Sequence, residues 1–182
     1  MKKHLKNTID SSKHLLIGEE HGEQWDGNMN PHTMSQLKEI LVYLISRNKK
    51  IKVFYEGLAH ELSFPNIDFI NLDERKIHST GRSFRVFRKI WDKPINEIII
   101  RDTIAQLYQK VVVALDSEII QDYHTDDHSY DYTIYVVGGV HAVRIHDIIQ
   151  VPMVLSGVSG NEKQKRKFIG ETRERIRLFE SH

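Results

Sequence analysis

The sequence predicts a single α/β domain: a mostly parallel central β-sheet with flanking helices and a site at the carboxyl ends of its strands. Three features predict it. Strand-like and helix-like segments alternate along the chain, the pattern that builds parallel sheets through crossover helices. The strand-like runs are short, apolar and closed by Gly or Glu, as strands buried on both faces are. No linker, internal repeat or low-complexity tract divides residues 1–182, a length that suits one core.

Within that frame, residues 1–12 read as a flexible extension and His14 to Ile17 as the first strand. Asn28 to Thr33 leads into a helix in which Met34, Leu37, Leu41, Leu44 and Ile45 recur at helical spacing. Thr33 and Gln36 have the spacing of a capping box. Asn48-Lys49-Lys50 breaks this helix, and Ile51 to Tyr55 forms the next strand, ending at Glu56-Gly57. A strand–helix–strand unit of this kind sets its two strands parallel. Asn66 to Leu72 is a shorter strand candidate, and the basic segment Gly81 to Trp91 fits no single type. Pro94 stands where a first helical turn tolerates it, so Ile95 to Ala114 reads as one long helix. Asp122 to Asp131 is polar and acidic, and within it Asp122 to His128 reads as a solvated loop rather than a metal loop. Thr133 to Val137 and Val151 to Leu155 are further strands. Asn161 to Phe179 is an amphipathic helix with Phe168, Ile169, Thr172, Ile176 and Phe179 on one side.

Composition narrows the function. Apolar residues are 40% and charged residues 28%, as in a globular protein. Lys and Arg total 26 against 25 Asp and Glu, a net charge of +1. No global field draws the chain to nucleic acid or to a membrane. There are no cysteines, which excludes disulfides, iron–sulfur clusters, Cys-type zinc sites and a thiol nucleophile. No apolar run approaches the ~18 residues of a membrane span, and Met1 to Asn7 is followed by no signal-like apolar region. The cytoplasm is the expected compartment.

Two distant segments share one pattern. Ile17-Gly18-Glu19-Glu20-His21-Gly22 and Val137-Gly138-Gly139-Val140-His141 each break a strand-like run with Gly and then present a histidine. Each histidine is expected on a turn beyond a strand end. Parallel strands would bring both to one edge, where open α/β sheets bind ligands. Glu19 and Glu56 are strand-end carboxylates of the same edge, and imidazoles with carboxylates can hold a divalent metal or act as general acid and base. Arg101 and Asp102 interrupt the apolar run Ile98 to Ile104, where burial demands pairing or a place in a site.

Taken together, these residues resemble the Tiki/TraB/ChaN/erythromycin-esterase superfamily, nearest its ChaN-like branch. The matching residues are Gly18-Glu19-Glu20-His21, Asn30-Pro31-His32 with Gln36, Gly138-Gly139-Val140-His141, and Val151-Pro152. The resemblance spans roughly residues 14 to 155. The resemblance implies one of several chemistries. Tiki-like members are metal-dependent proteases whose motif histidines are implicated in manganese or cobalt binding. Erythromycin esterases open a lactone with histidine and glutamates and no metal. ChaN-like members are linked to haem or iron uptake.

The expected function is therefore a hydrolase of peptide, ester or amide bonds, with Glu19, His21, Glu56, Arg101, Asp102 and His141 as its working residues. A divalent ion (Mn, Co, Fe or Zn) would be held by His21, His141, Glu19 and Glu56. In that scheme Arg101 stabilises negative charge and Asp102 orients a histidine. The alternative is a non-catalytic module binding a metal, haem or small ligand, with haem ranked behind a divalent ion. Expected partners are a small-molecule or peptide substrate and a second copy in a homodimer, with no membrane and no nucleic acid. Blander readings compete. A lone histidine in a tight turn satisfies backbone groups, and Arg101 with Asp102 can be an internal ion pair. The stripe Arg82 to Lys89 can pack its Phe residues inward rather than stack bases.

Overall fold

A computed structural model describes residues 1–19, 29–56, 64–72, 80–125, 128–156 and 161–181, and for residues 80–85 the backbone alone. Five strands form one sheet: β1 (His14–Glu19), β2 (Ile51–Tyr55), β3 (Ile67–Asn71), β4 (Tyr132–Gly138) and β5 (Met153–Ser156). Their order is β3-β2-β4-β1-β5, and every pairing is parallel. The helices are α1 (Lys3–Asp10), α2 (Pro31–Ile45), α3 (Thr80–Trp91), α4 (Asp102–Tyr108), α5 (Ala114–Thr125), α6 (Gly139–Ile149) and α7 (Glu162–Glu180). A π turn, Gln109–Val113, joins α4 to α5 without a break.

The crossover from β1 to β2 and that from β4 to β5 run in opposite directions along the sheet. Right-handed crossovers then place α2 and α6 on opposite faces. The strand residues divide accordingly. Leu15, Ile17, Ile51, Val53, Ile134 and Val136 pack with Leu37, Ile40, Leu41 and Leu44 of α2. Their alternate neighbours, Leu16, Phe54, Tyr135 and Val137, pack with Leu115 and Ile119 of α5 and with Ala142 and Ile145 of α6. This is the two-residue period of a strand buried on both faces. Outside α5 and α6 lies a third cluster, in which Phe87, Tyr108, Val112 and Phe179 join α3, α4 and α7.

Several sequence expectations are corrected at this level. The amino-terminal residues are no free extension: α1 buries Ile9 in the α2-side core, and the Tyr132 hydroxyl donates to the Ile9 carbonyl. The cap of α2 is Asn30, whose side chain accepts from the His32 amide, and Thr33 is buried one turn inside. The run Ile95 to Ala114 is not one helix. A short 3-10 turn (Ile95–Glu97) precedes extended backbone, with Arg101 at φ −119° and ψ 161°, before α4 begins at Asp102. The polar stretch after Ile120 is helical as far as Thr125, because Asp122 is drawn onto the sheet by Lys52 and Tyr135. Segment 80–91 is helical, and Phe87 points into the third cluster.

Gly18 is needed for packing rather than for a turn. It lies inside β1, and a Cβ there would stand 2.8 Å from both the Ala142 Cβ and Leu155 Cδ2. The missing side chain is what lets α6 close onto β1. Gly139, the first residue of α6, similarly faces the Phe168 ring of α7, with 2.8 Å to Cζ from a built Cβ.

Candidate active site

The strand register levels the polar residues at one edge. Glu19 pairs with Gly138 on one side and Ser156 on the other, while Tyr55 pairs with Val136 and Asn71. Glu56 continues β2 by one more bond, its amide donating to the Val136 carbonyl at 2.9 Å. The carboxyl edge thus carries Asn71, Glu56, Glu19 and Ser156 in a row, with the first turn of α6 rising directly from Gly138. His141 is the third residue of that turn and is 5% exposed. It stands inside a helix, not on a loop beyond the strand.

Strand alternation decides which carboxylate meets it. Glu56 shares the parity of Phe54 and so leaves β2 on the α5–α6 face. Its Oε1 stands 3.9 Å from His141 Nε2, and its Oε2 accepts the Gly138 amide at 2.8 Å. That amide bond fixes the carboxylate against the start of α6. Glu19 shares the parity of Leu15 and Ile17 and leaves β1 toward α2, where its Oε2 accepts the Asn30 amide at 3.0 Å. The two glutamates occupy one edge from opposite faces of the sheet.

The other ring nitrogen of His141 is engaged from behind. Its Nδ1 lies 2.7 Å from Oδ1 of Asp116, a fully buried residue in the first turn of α5. A carboxylate accepting from Nδ1–H leaves Nε2, on the Glu56 side, as the basic nitrogen. Oδ2 of Asp116 accepts from Arg144 Nη1 at 2.9 Å, and Arg144 Nε donates to Glu180 Oε1 at 2.8 Å. The Tyr108 hydroxyl donates to that same Glu180 oxygen at 3.2 Å. Burial opposes the charge of Arg144, but its bonds to Glu180 and Asp116 outweigh this and raise its pKa. Burial, and then the charge of Glu180, hold the Tyr108 phenol in its neutral form.

Of the expected residues, Glu56 and His141 come together and Glu19 lies across the same edge. His21 falls outside the described residues. Arg101 and Asp102 are exposed at the start of α4. His141 is oriented by Asp116, not by Asp102, because the extended backbone at Ile98–Arg101 carries the Arg-Asp pair to solvent. Asp116 and Arg144 were missed. Arg144 had a local signal, since it follows His141 by three residues and shares its side of a helix. Asp116 had only its position directly after the apolar run Val111 to Leu115. Among the described residues, no three His, Asp or Glu side chains are grouped closely enough to hold a metal. Among them too, no helix is long and apolar enough to cross a membrane.

Searches for relatives leave the geometry to speak alone: no family model, no curated protein and no solved structure matches this chain.

Proposed function

We propose that the carboxyl edge is the active centre of a hydrolase in which His141 is the general base. The observation that carries this reading is the buried array Asp116–His141–Glu56, with 2.7 Å on one side of the imidazole and 3.9 Å on the other. Asp116 holds the ring in the tautomer that exposes basic Nε2. A water placed between Nε2 and Glu56 would lose its proton to the histidine as it attacks an ester, amide or peptide carbonyl. The imidazolium so formed is stabilised by Asp116 behind it and Glu56 before it. Negative charge developing on the carbonyl oxygen would lie at the start of α6, where the helix dipole favours an anion. The proton on Nε2 then passes to the departing group.

A divalent ion, which the motif resemblance implies, has two candidate ligands in His141 Nε2 and Glu56, and Asp116 would be the carboxylate that orients a metal-bound histidine. Such an ion, when bound, supplies hydroxide near neutral pH. Either way the residues that position water are the same. The test combines elemental analysis with a panel of peptide, ester and amide substrates, run on the wild type, His141→Ala and Glu56→Gln. We expect turnover by the wild type and a loss of at least about 10³-fold in His141→Ala, with the fold intact. Turnover unchanged in both variants would reject the reading. No turnover, with a ligand or metal bound tightly through His141, would make the domain a binding module.

A further inference from the structure

Arg144 is one of the most heavily bonded side chains of the α5–α6 face, and the reaction outlined above gives it no step. Its guanidinium is a fork, donating inward to Asp116 from Nη1 and outward to Glu180 from Nε. The two acceptors come from different helices, α5 and α7, so the fork fixes the position of one against the other. Glu180 is itself held by the Tyr108 hydroxyl from α4. Four elements therefore converge behind one imidazole.

The π turn explains how α4 and α5 both reach this point. Tyr108 and Asp116 are eight residues apart on one continuous helical segment. In an unbroken α-helix they would lie about 80° apart around the axis. A π turn absorbs roughly one additional residue, so the eight residues close two complete turns and both side chains face α6 and α7. The irregularity falls between the two residues it aligns.

We propose that Arg144 is a positioning residue for His141, acting through Asp116 and braced by Glu180 and Tyr108. This rests on His141 being the working base. A carboxylate has two oxygens and can rotate about its Cβ–Cγ bond. With Oδ2 clamped by Arg144, Oδ1 has one direction left, and the Nδ1–H of His141 is set by it. The rival is a merely structural Arg that ties three helices and leaves the imidazole indifferent.

The test reads the imidazole itself, by nitrogen and proton NMR of histidine-labelled protein, in the wild type, Arg144→Met, Arg144→Lys and Glu180→Gln. In the wild type we expect a far-downfield Nδ1–H proton and a single tautomer for His141. Arg144→Met should lose that resonance and show mixed tautomers. Arg144→Lys should restore it in part, because the charge returns without the fork. Against whichever substrate the wild type hydrolyses, Arg144→Met should lower kcat about 10- to 100-fold and leave KM within about twofold. Should Arg144→Met fail to fold, Glu180→Gln, at a half-exposed carboxylate, carries the measurement with a smaller shift in the same direction. A His141 resonance unchanged in every folded variant would overturn the proposal. Loss of the resonance in a protein that hydrolyses nothing would uphold the positioning role and reject the hydrolase reading alone.

Discussion

Two aspartates of α5, six residues apart, are each drawn into the protein and put to different ends. Asp122, near the amino edge of the sheet, accepts from Lys52 Nζ at 2.9 Å and from the Tyr135 hydroxyl at 3.0 Å. The Phe54 ring lies beneath the same ammonium, 4.7 Å to its centroid. These bonds hold α5 on β2 and β4. Asp116, near the carboxyl edge, is also doubly bonded, but one of its partners is a histidine whose far nitrogen meets Glu56 at 3.9 Å, beyond hydrogen-bond length. The first cluster ties a helix to the amino half of two strands. The second sets the far nitrogen of a histidine beside Glu56 at the strand ends, where α/β sheets bind ligands. The difference teaches that burial of charge is by itself no sign of function; what separates the two clusters is the edge of the sheet on which each lies.

The sharpest way to break this comparison is to truncate both aspartates. Asp116→Ala should destabilise the fold by about 3 kcal/mol, because Arg144 loses a buried partner while keeping Glu180. On the hydrolase proposal it should also lower turnover about 10³-fold or more through loss of the imidazole tautomer. Asp122→Ala should reduce stability by about 2 kcal/mol, through the bonds it loses to Lys52 and Tyr135, and leave kcat per folded molecule within about twofold. Urea denaturation beside the activity assay reads both quantities. Equal losses of activity per folded molecule would erase the distinction between the two clusters.

A second, smaller effect sharpens the geometry of the Asp116 cluster. Gly18→Ala drives a methyl to within 2.8 Å of Ala142 and Leu155, so α6 must lift from β1, at about 1–3 kcal/mol. His141 lies one residue before Ala142, so its spacing to Glu56 should widen and activity should fall along with the melting temperature. The smallest effect is expected at the exposed pair. Arg101→Ala and Asp102→Ala should each change stability by no more than about 0.5 kcal/mol, with turnover unaltered; a large loss of turnover in either would return that pair to the site.

Much of the fold was legible because its signals are local. The apolar runs at Leu15 to Ile17, Ile51 to Tyr55 and Thr133 to Val137 have strand length, and the Leu37–Leu41–Leu44 spacing of α2 admits only a helix. Glu56 and His141 could be assigned to one edge from strand ends alone, since parallel strands align their carboxyl termini. The reading failed where periodicity was ambiguous. Ile98-Ile99-Ile100 suits a helix or an extended chain equally, and tertiary packing chose the second, burying Ile98 and leaving Ile99 exposed. The capping assignment slipped by one turn because Asn30 and Thr33 are both good cap residues, and only the Glu19 carboxylate, which accepts the Asn30 amide, selects between them.

By itself, then, the sequence determined an α/β domain with carboxylates and a histidine at one end of its sheet, because hydrophobic period and strand termination are written residue by residue. Only the tertiary structure decided which of these groups act on one another. The strand order inserts β4 between β1 and β2, the two-residue alternation sends Glu56 and Glu19 to opposite faces, and one π turn brings Tyr108 and Asp116 onto a common side. Each of these depends on elements distant in the chain, and the pairing of Asp116 with His141, 25 residues apart, follows from packing that no local pattern encodes.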